Sequence, residues 1–138
     1  KVILENDYLH SGGAGLSGDD LKRKLCQICE RAGADWVKTS TGYGFVKGAD
    51  GKYSYQGSTE HDLKLMRAAC SEKVQVKAAG GVRDLDGLIL VRDLGCTRCG
   101  ASATVAILEE YHRRAEAEPK GAANAVAGSK ARIGAGGY

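Results

Sequence analysis

The stretch Gly33-Ala34-Asp35-Trp36-Val37-Lys38-Thr39-Ser40-Thr41-Gly42 sets a short apolar run between a glycine and a cluster of small hydroxylated residues. Residues 34–40 read as a buried strand, and Gly33 is placed to end the helix before it. The same pattern recurs at Val74-Gln75-Val76-Lys77-Ala78-Ala79-Gly80-Gly81, where residues 74–78 form the strand and the two glycines break it. Thr97-Arg98-Cys99-Gly100 is a shorter instance, and Lys1-Val2-Ile3-Leu4-Glu5 opens the chain with another. These runs are nearly continuous in apolar residues rather than alternating, which is how parallel strands covered by helices read.

Helical patterns fill the gaps. A glycine-rich loop over residues 11–18 leads to Asp19 and Asp20, after which Leu21, Leu25, Ile28 and Cys29 recur at helical spacing. Ser58 or Thr59 caps a second helix, with Glu60 and Asp62 in its first turn and Leu63, Met66 and Ala69 on one face. Asp84 caps a third that runs through Leu94 and stops at Gly95. Ser102 or Thr104 opens the last, which carries Val105, Leu108 and His112 toward Ala115. Residues 41–57, rich in Gly, Tyr and Lys, imply a long loop or a surface hairpin. The fold class is therefore α/β, strand and helix alternating, with one domain over residues 1–117. Residues 118–138 turn to Ala, Gly, Lys and Ser with only Val126 and Ile133 as scattered anchors, the composition of a flexible tail.

At 138 residues, with 43% hydrophobic and 27% charged side chains, the chain can build one core, which excludes disorder throughout. Twenty Lys and Arg against seventeen Asp and Glu give a net charge of +3 with the signs interspersed, so no nucleic-acid partner is indicated. No apolar run approaches the roughly 20 residues that cross a bilayer, and no leader pattern opens the chain, so a cytoplasmic protein without a membrane partner is expected. Cys26/Cys29 and Cys96/Cys99 are each spaced as CxxC. A four-thiolate zinc site would need the pairs about 15–20 residues apart, and most of the chain separates them. Cys26 and Cys29 also fall in a helical pattern, where they read as small core residues, so no metal is expected.

Lys38 and Lys77 each end a parallel strand, at the sheet edge where α/β folds gather their active-site loops. Both ammoniums can simply snorkel to the rim. If instead their strands are neighbours, about 4.8 Å apart, each disfavours the other's charge. A neutral amine attacks a carbonyl and forms a Schiff base, an electron sink for breaking a carbon–carbon bond. Gly80-Gly81 and Gly100-Ala101-Ser102 each precede a helix, where backbone N–H groups can hold a phosphate, although glycines there also serve simply to make tight turns.

The runs at residues 33–42, 76–83 and 98–102, together with Lys1-Val2-Ile3-Leu4-Glu5, resemble deoxyribose-phosphate aldolase in order and spacing over most of residues 1–115. The resemblance implies a parallel (β/α) barrel of TIM type, with this chain supplying strands five to eight. It implies Lys38 as the Schiff-base lysine and Lys77 as the second lysine that lowers its pKa. Thr41, Gly42, Gly80, Gly81, Val82, Gly100 and Ser102 would hold the phosphate of a phosphorylated sugar, with Arg83 adding charge, and no cofactor or metal is required. Tyr138 would assist proton transfer from the tail. The reaction implied is reversible cleavage of 2-deoxyribose 5-phosphate to glyceraldehyde 3-phosphate and acetaldehyde. Ala103 stands where a second phosphate-binding serine can occur, and Cys99 replaces an apolar residue. The proton-relaying aspartate of the fourth strand lies outside strands five to eight. The barrel must then be completed by an amino-terminal half, by a second chain, or by two copies forming a homo-oligomer. Another Schiff-base lyase acting on a different sugar phosphate, or a non-catalytic half-barrel subunit, are the alternatives.

Overall fold

The computed structural model describes residues 1–117. In chain order the strands are β1 (Val2–Ile3), β2 (Trp36–Lys38), β3 (Val46–Lys47), β4 (Tyr53–Ser54), β5 (Gln75–Ala79) and β6 (Cys96–Gly100). The helices are α1 (Gly18–Arg31), α2 (Glu60–Ala69), α3 (Leu85–Asp93) and α4 (Thr104–Ala117). One sheet runs in the order β1-β2-β5-β6, parallel throughout, and β3 and β4 form a separate antiparallel hairpin. Each strand of the main sheet lies next to its predecessor and is followed by a helix. That monotonic order is the progression of a barrel, not of a sheet that reverses at a switch point.

Local chemistry sets the boundaries. The side chains of Ser17, Thr59 and Asp84 accept from the amides of Asp20, Asp62 and Gly87, which satisfies donors at the starts of α1, α2 and α3. Val37, Val76 and Ala78 are buried with Cys26, Cys29, Leu63, Met66 and Val91, so alternate strand residues meet the helices and form the core. The intervening residues, Trp36, Lys38, Gln75 and Lys77, face the opposite side, the interior of a closed barrel.

Three sequence expectations need adjustment, and one left open between two forms is resolved. The first strand is shorter than residues 1–5, because Glu5 adopts φ 55° and turns the chain out of extension, although Leu4 and Asn6 still donate to the carbonyls of Lys38 and Thr39. The segment 41–57 resolves as a surface hairpin, with Val46 opposite Ser54 and Lys47 opposite Tyr53. The buried stripe of α1 is Lys22, Cys26 and Cys29, while Ile28 is exposed. Lys22 is tolerated there because its ammonium donates to Asp62 Oδ1 at 2.6 Å and to His10 Nδ1 at 3.1 Å, an enclosed pair clamping α1 to α2. On α4, Val105 and Leu108 are 70% and 51% exposed, so the apolar positions read from the sequence face outward.

Cys26 and Cys29 lie on α1 and Cys96 and Cys99 on β6. Among the described residues the trio with ligand atoms close enough for a metal is instead Asp19, His61 and Asp62, within 4.8 Å. There the Lys22 ammonium already balances the buried carboxylate. No helix among the described residues is long and apolar enough to cross a membrane. The tail boundary at residue 118, and Tyr138 with it, fall outside the described residues.

Candidate active site

Adjacent parallel strands bring the two lysines together. Lys38 is the register partner of Lys77 across β2 and β5, and Lys77 is in turn the partner of Arg98 across β5 and β6. Because side chains alternate across a strand, residues in register share a face, and the row Lys38, Lys77, Arg98 lines the barrel-interior side. Arg98 stacks on Trp36, its guanidinium carbon 4.0 Å from the ring centroid, and Trp36 Nε1 donates to Thr97 Oγ1 at 3.1 Å. This packing draws the third cation of the row onto an aromatic face.

Lys38 is held below the ordinary lysine range. Its burial is the largest cause, followed by the positive charges of Lys77 and Lys1, while the Glu5 carboxylate acts in the opposite direction. Desolvation is thus a stronger cause than the lysine pair that the sequence alone points to. The Lys77 side chain runs beside β6, where a methyl group built on Gly100 would lie 3.5 Å from its Cε.

Above the strand ends opens a cleft of about 440 Å³, lined by residues 41–43, Tyr55, residues 79–83 and residues 100–103. It gathers Thr41, Gly42, Gly80, Gly81, Val82, Arg83, Gly100 and Ser102, every position that the family resemblance implies for a phosphate. Two of these are built differently from the expectation. The Thr41 amide and hydroxyl both donate to Glu5, and the Gly42 amide donates to Ser40 Oγ at 2.9 Å, so both residues shape the wall with their donors turned away. The N-terminus of α3 is occupied by the Asp84 carboxylate, whereas the first turn of α4 carries no acidic residue. An anion is therefore better matched to the 100–102 turn before α4 than to the α3 terminus.

Several supporting residues were not singled out by the motifs. Thr39 Oγ1 donates to the Ala79 carbonyl and accepts from the Ala79 amide, both at 3.0 Å, and so locks the end of β2 to the end of β5. Ser58 Oγ also donates to the Ala79 carbonyl, and the Ser58 amide to the Gly80 carbonyl. The buried Asp7 carboxylate accepts from the amides of Gln56 and Gly57 and anchors the return of the hairpin. Gly57 (φ 69°) and Gly80 (φ 89°) cross so closely that a Cβ on Gly57 would lie 2.9 Å from Gly80 Cα. The small hydroxylated residues just after β2 stand out in the sequence, but the partners in these bonds are 19 to 50 residues apart and only the fold supplies them.

A partial parallel barrel carrying a lysine pair on strands whose loops wall a glycine-rich cleft defines the class: an aldolase-type (β/α) barrel, four strands of which are in hand. The chain is related in sequence and fold to the deoxyribose-phosphate aldolases. It is 49% identical over 114 residues to the deoxyribose-phosphate aldolase of Rhodopirellula baltica, an alignment covering 83% of this chain and 40% of that protein. Among solved structures, an aldolase termed QR15 superposes with a TM-score of 0.67 at 32% identity, over 85% of this chain and 45% of that one. A tetrameric deoxyribose phosphate aldolase from Aeropyrum pernix superposes with a TM-score of 0.55 at 29% identity, over 68% of this chain and 36% of that one. No protein-family model matches the chain. The chain thus spans about two-fifths of the length of the curated relatives it matches.

Proposed function

We propose that the protein to which this chain belongs is a Schiff-base aldolase that reversibly cleaves 2-deoxyribose 5-phosphate to glyceraldehyde 3-phosphate and acetaldehyde. The observation that carries the reading is the register pairing of Lys38 with Lys77 on β2 and β5, the strands whose following loops wall the cleft, although neither lysine is itself among the residues that line it. Lys38, half-buried and near the ammoniums of Lys77 and Lys1, gives up its proton more readily than a free lysine, as nucleophilic attack requires. Its nitrogen adds to the substrate aldehyde, water leaves, and an iminium forms at C1. Loss of the C3 hydroxyl proton then breaks the C2–C3 bond, and its electron pair moves into the iminium to give an enamine. C2 of the enamine takes up a proton, and water releases acetaldehyde and the free amine.

Lys77 keeps Lys38 from holding its proton. The amides of residues 80–82 and 100–102, with Ser102 and the Arg83 charge, receive the phosphate. Thr41 and Gly42 close the opposite wall. A barrel completed by further chain, and association of copies as in the tetrameric Aeropyrum pernix relative, fit the edges of β1 and β6 that pair with no other strand among the described residues. A cytoplasmic setting follows from the reaction's phosphorylated reactants.

The test is turnover of a panel of sugar phosphates by the full-length protein and by Lys38→Leu. Cleavage of 2-deoxyribose 5-phosphate above the other sugars, reduced by about three orders of magnitude or more in the variant, supports the proposal. Preference for another sugar phosphate, or activity surviving in Lys38→Leu, overturns it.

A further inference from the structure

Glu5 is not part of any motif that pointed to the site, yet the wall of the cleft is built around its carboxylate. Oε1 accepts from Ser40 Oγ at 2.9 Å and from the Thr41 amide at 3.1 Å, and Oε2 accepts from Thr41 Oγ1 at 2.6 Å. The two hydroxyls then relay the constraint. Ser40 Oγ accepts from the Gly42 amide at 2.9 Å, and Thr41 Oγ1 accepts from the Tyr43 amide at 3.1 Å. Three consecutive amides, those of Thr41, Gly42 and Tyr43, are therefore oriented by one anion, directly or through one hydroxyl.

Two features of the backbone serve this arrangement. Glu5 itself sits at φ 55°, an unfavourable region for a residue with a side chain, and that turn swings its carboxylate toward the 40–43 segment. Gly44 passes close over the carboxylate, where a Cβ would meet the Glu5 side chain and push it aside. Residues 41–43 line the cleft, whereas Lys38 lies below it on β2.

We propose that Glu5 is a positioning residue that fixes the Thr41–Gly42–Tyr43 wall and so sets recognition of the phosphate-bearing end of the substrate rather than formation of the imine. This rests on the aldolase reading above. A residue that only held the fold together would, when removed, weaken turnover of every substrate alike.

The experiment compares the full-length protein with Glu5→Ala and Glu5→Gln on 2-deoxyribose 5-phosphate and on unphosphorylated 2-deoxyribose. Circular dichroism selects the folded variants, and Gln, which keeps an acceptor oxygen, provides the milder change should Ala not fold. The expected result is a KM for the phosphorylated sugar raised about tenfold or more by Ala and less by Gln, with a smaller fall in kcat. The preference for the phosphorylated over the unphosphorylated sugar should narrow in the same order. Equal losses on both sugars, or an unchanged KM in a folded variant, overturn the assignment of Glu5. Wild-type protein that cleaves neither sugar overturns the aldolase reading itself, and this assignment falls with it.

Discussion

The lysine pair is a statement about two neighbouring nitrogens, and its consequences appear in pH. Lys38 is deprotonated more readily than a free lysine because it is buried and because Lys77 and Lys1 are close, with Glu5 opposing them. The reacting form is the neutral amine, so a lower pKa moves the onset of activity toward lower pH. Replacing Lys77 by Leu removes one cation from beside Lys38, which raises the pKa of Lys38 and shifts the rising limb of the kcat/KM profile toward alkali. Burial, the larger cause, survives the substitution, so the shift should be limited to about one pH unit or less. A pH–rate profile of the two proteins measures it; a limb that stays in place or moves toward acid contradicts the role given to Lys77.

At the scale of elements, the sheet was legible because buried parallel strands and capped helices leave strong local marks. Gly33 and Gly95, both at positive φ, close α1 and α3, and Ser17, Thr59 and Asp84 open three helices with direct side-chain bonds. The lysines were legible for the same reason, each standing at the end of an apolar run. What stayed hidden depends on distant partners. No local pattern marks Lys22 as buried, because Asp62, the carboxylate that holds its ammonium, lies 40 residues later. Glu5 looked like the end of a strand until the 40–44 loop folded over it. The Gly57–Gly80 crossing joins the hairpin return to the loop after β5, and no local pattern announces such a contact. Gly57→Ala puts a side chain at φ 69° and 2.9 Å from the Gly80 backbone. It should cost about 2–4 kcal/mol, read as a fall in the denaturation midpoint of the full-length protein. A midpoint unchanged from wild type would show that the crossing yields easily and does not constrain the cleft.

For the whole molecule, the described residues form four consecutive strands of a barrel with an open edge at β1 and another at β6. Val2 and Ile3 on the first edge and Val105 and Leu108 on α4 are apolar and exposed, as surfaces awaiting further protein are. The described residues nevertheless include both lysines and the turns that line the cleft, which is why the proposal puts imine formation in this part of the barrel. Borohydride reduction of the full-length protein in the presence of acetaldehyde, followed by peptide mapping by mass spectrometry, tests that assignment most directly. The account requires a reduced two-carbon adduct on Lys38 that disappears in Lys38→Leu. An adduct formed mainly on Lys77 or another lysine, or none under conditions of active turnover, contradicts it.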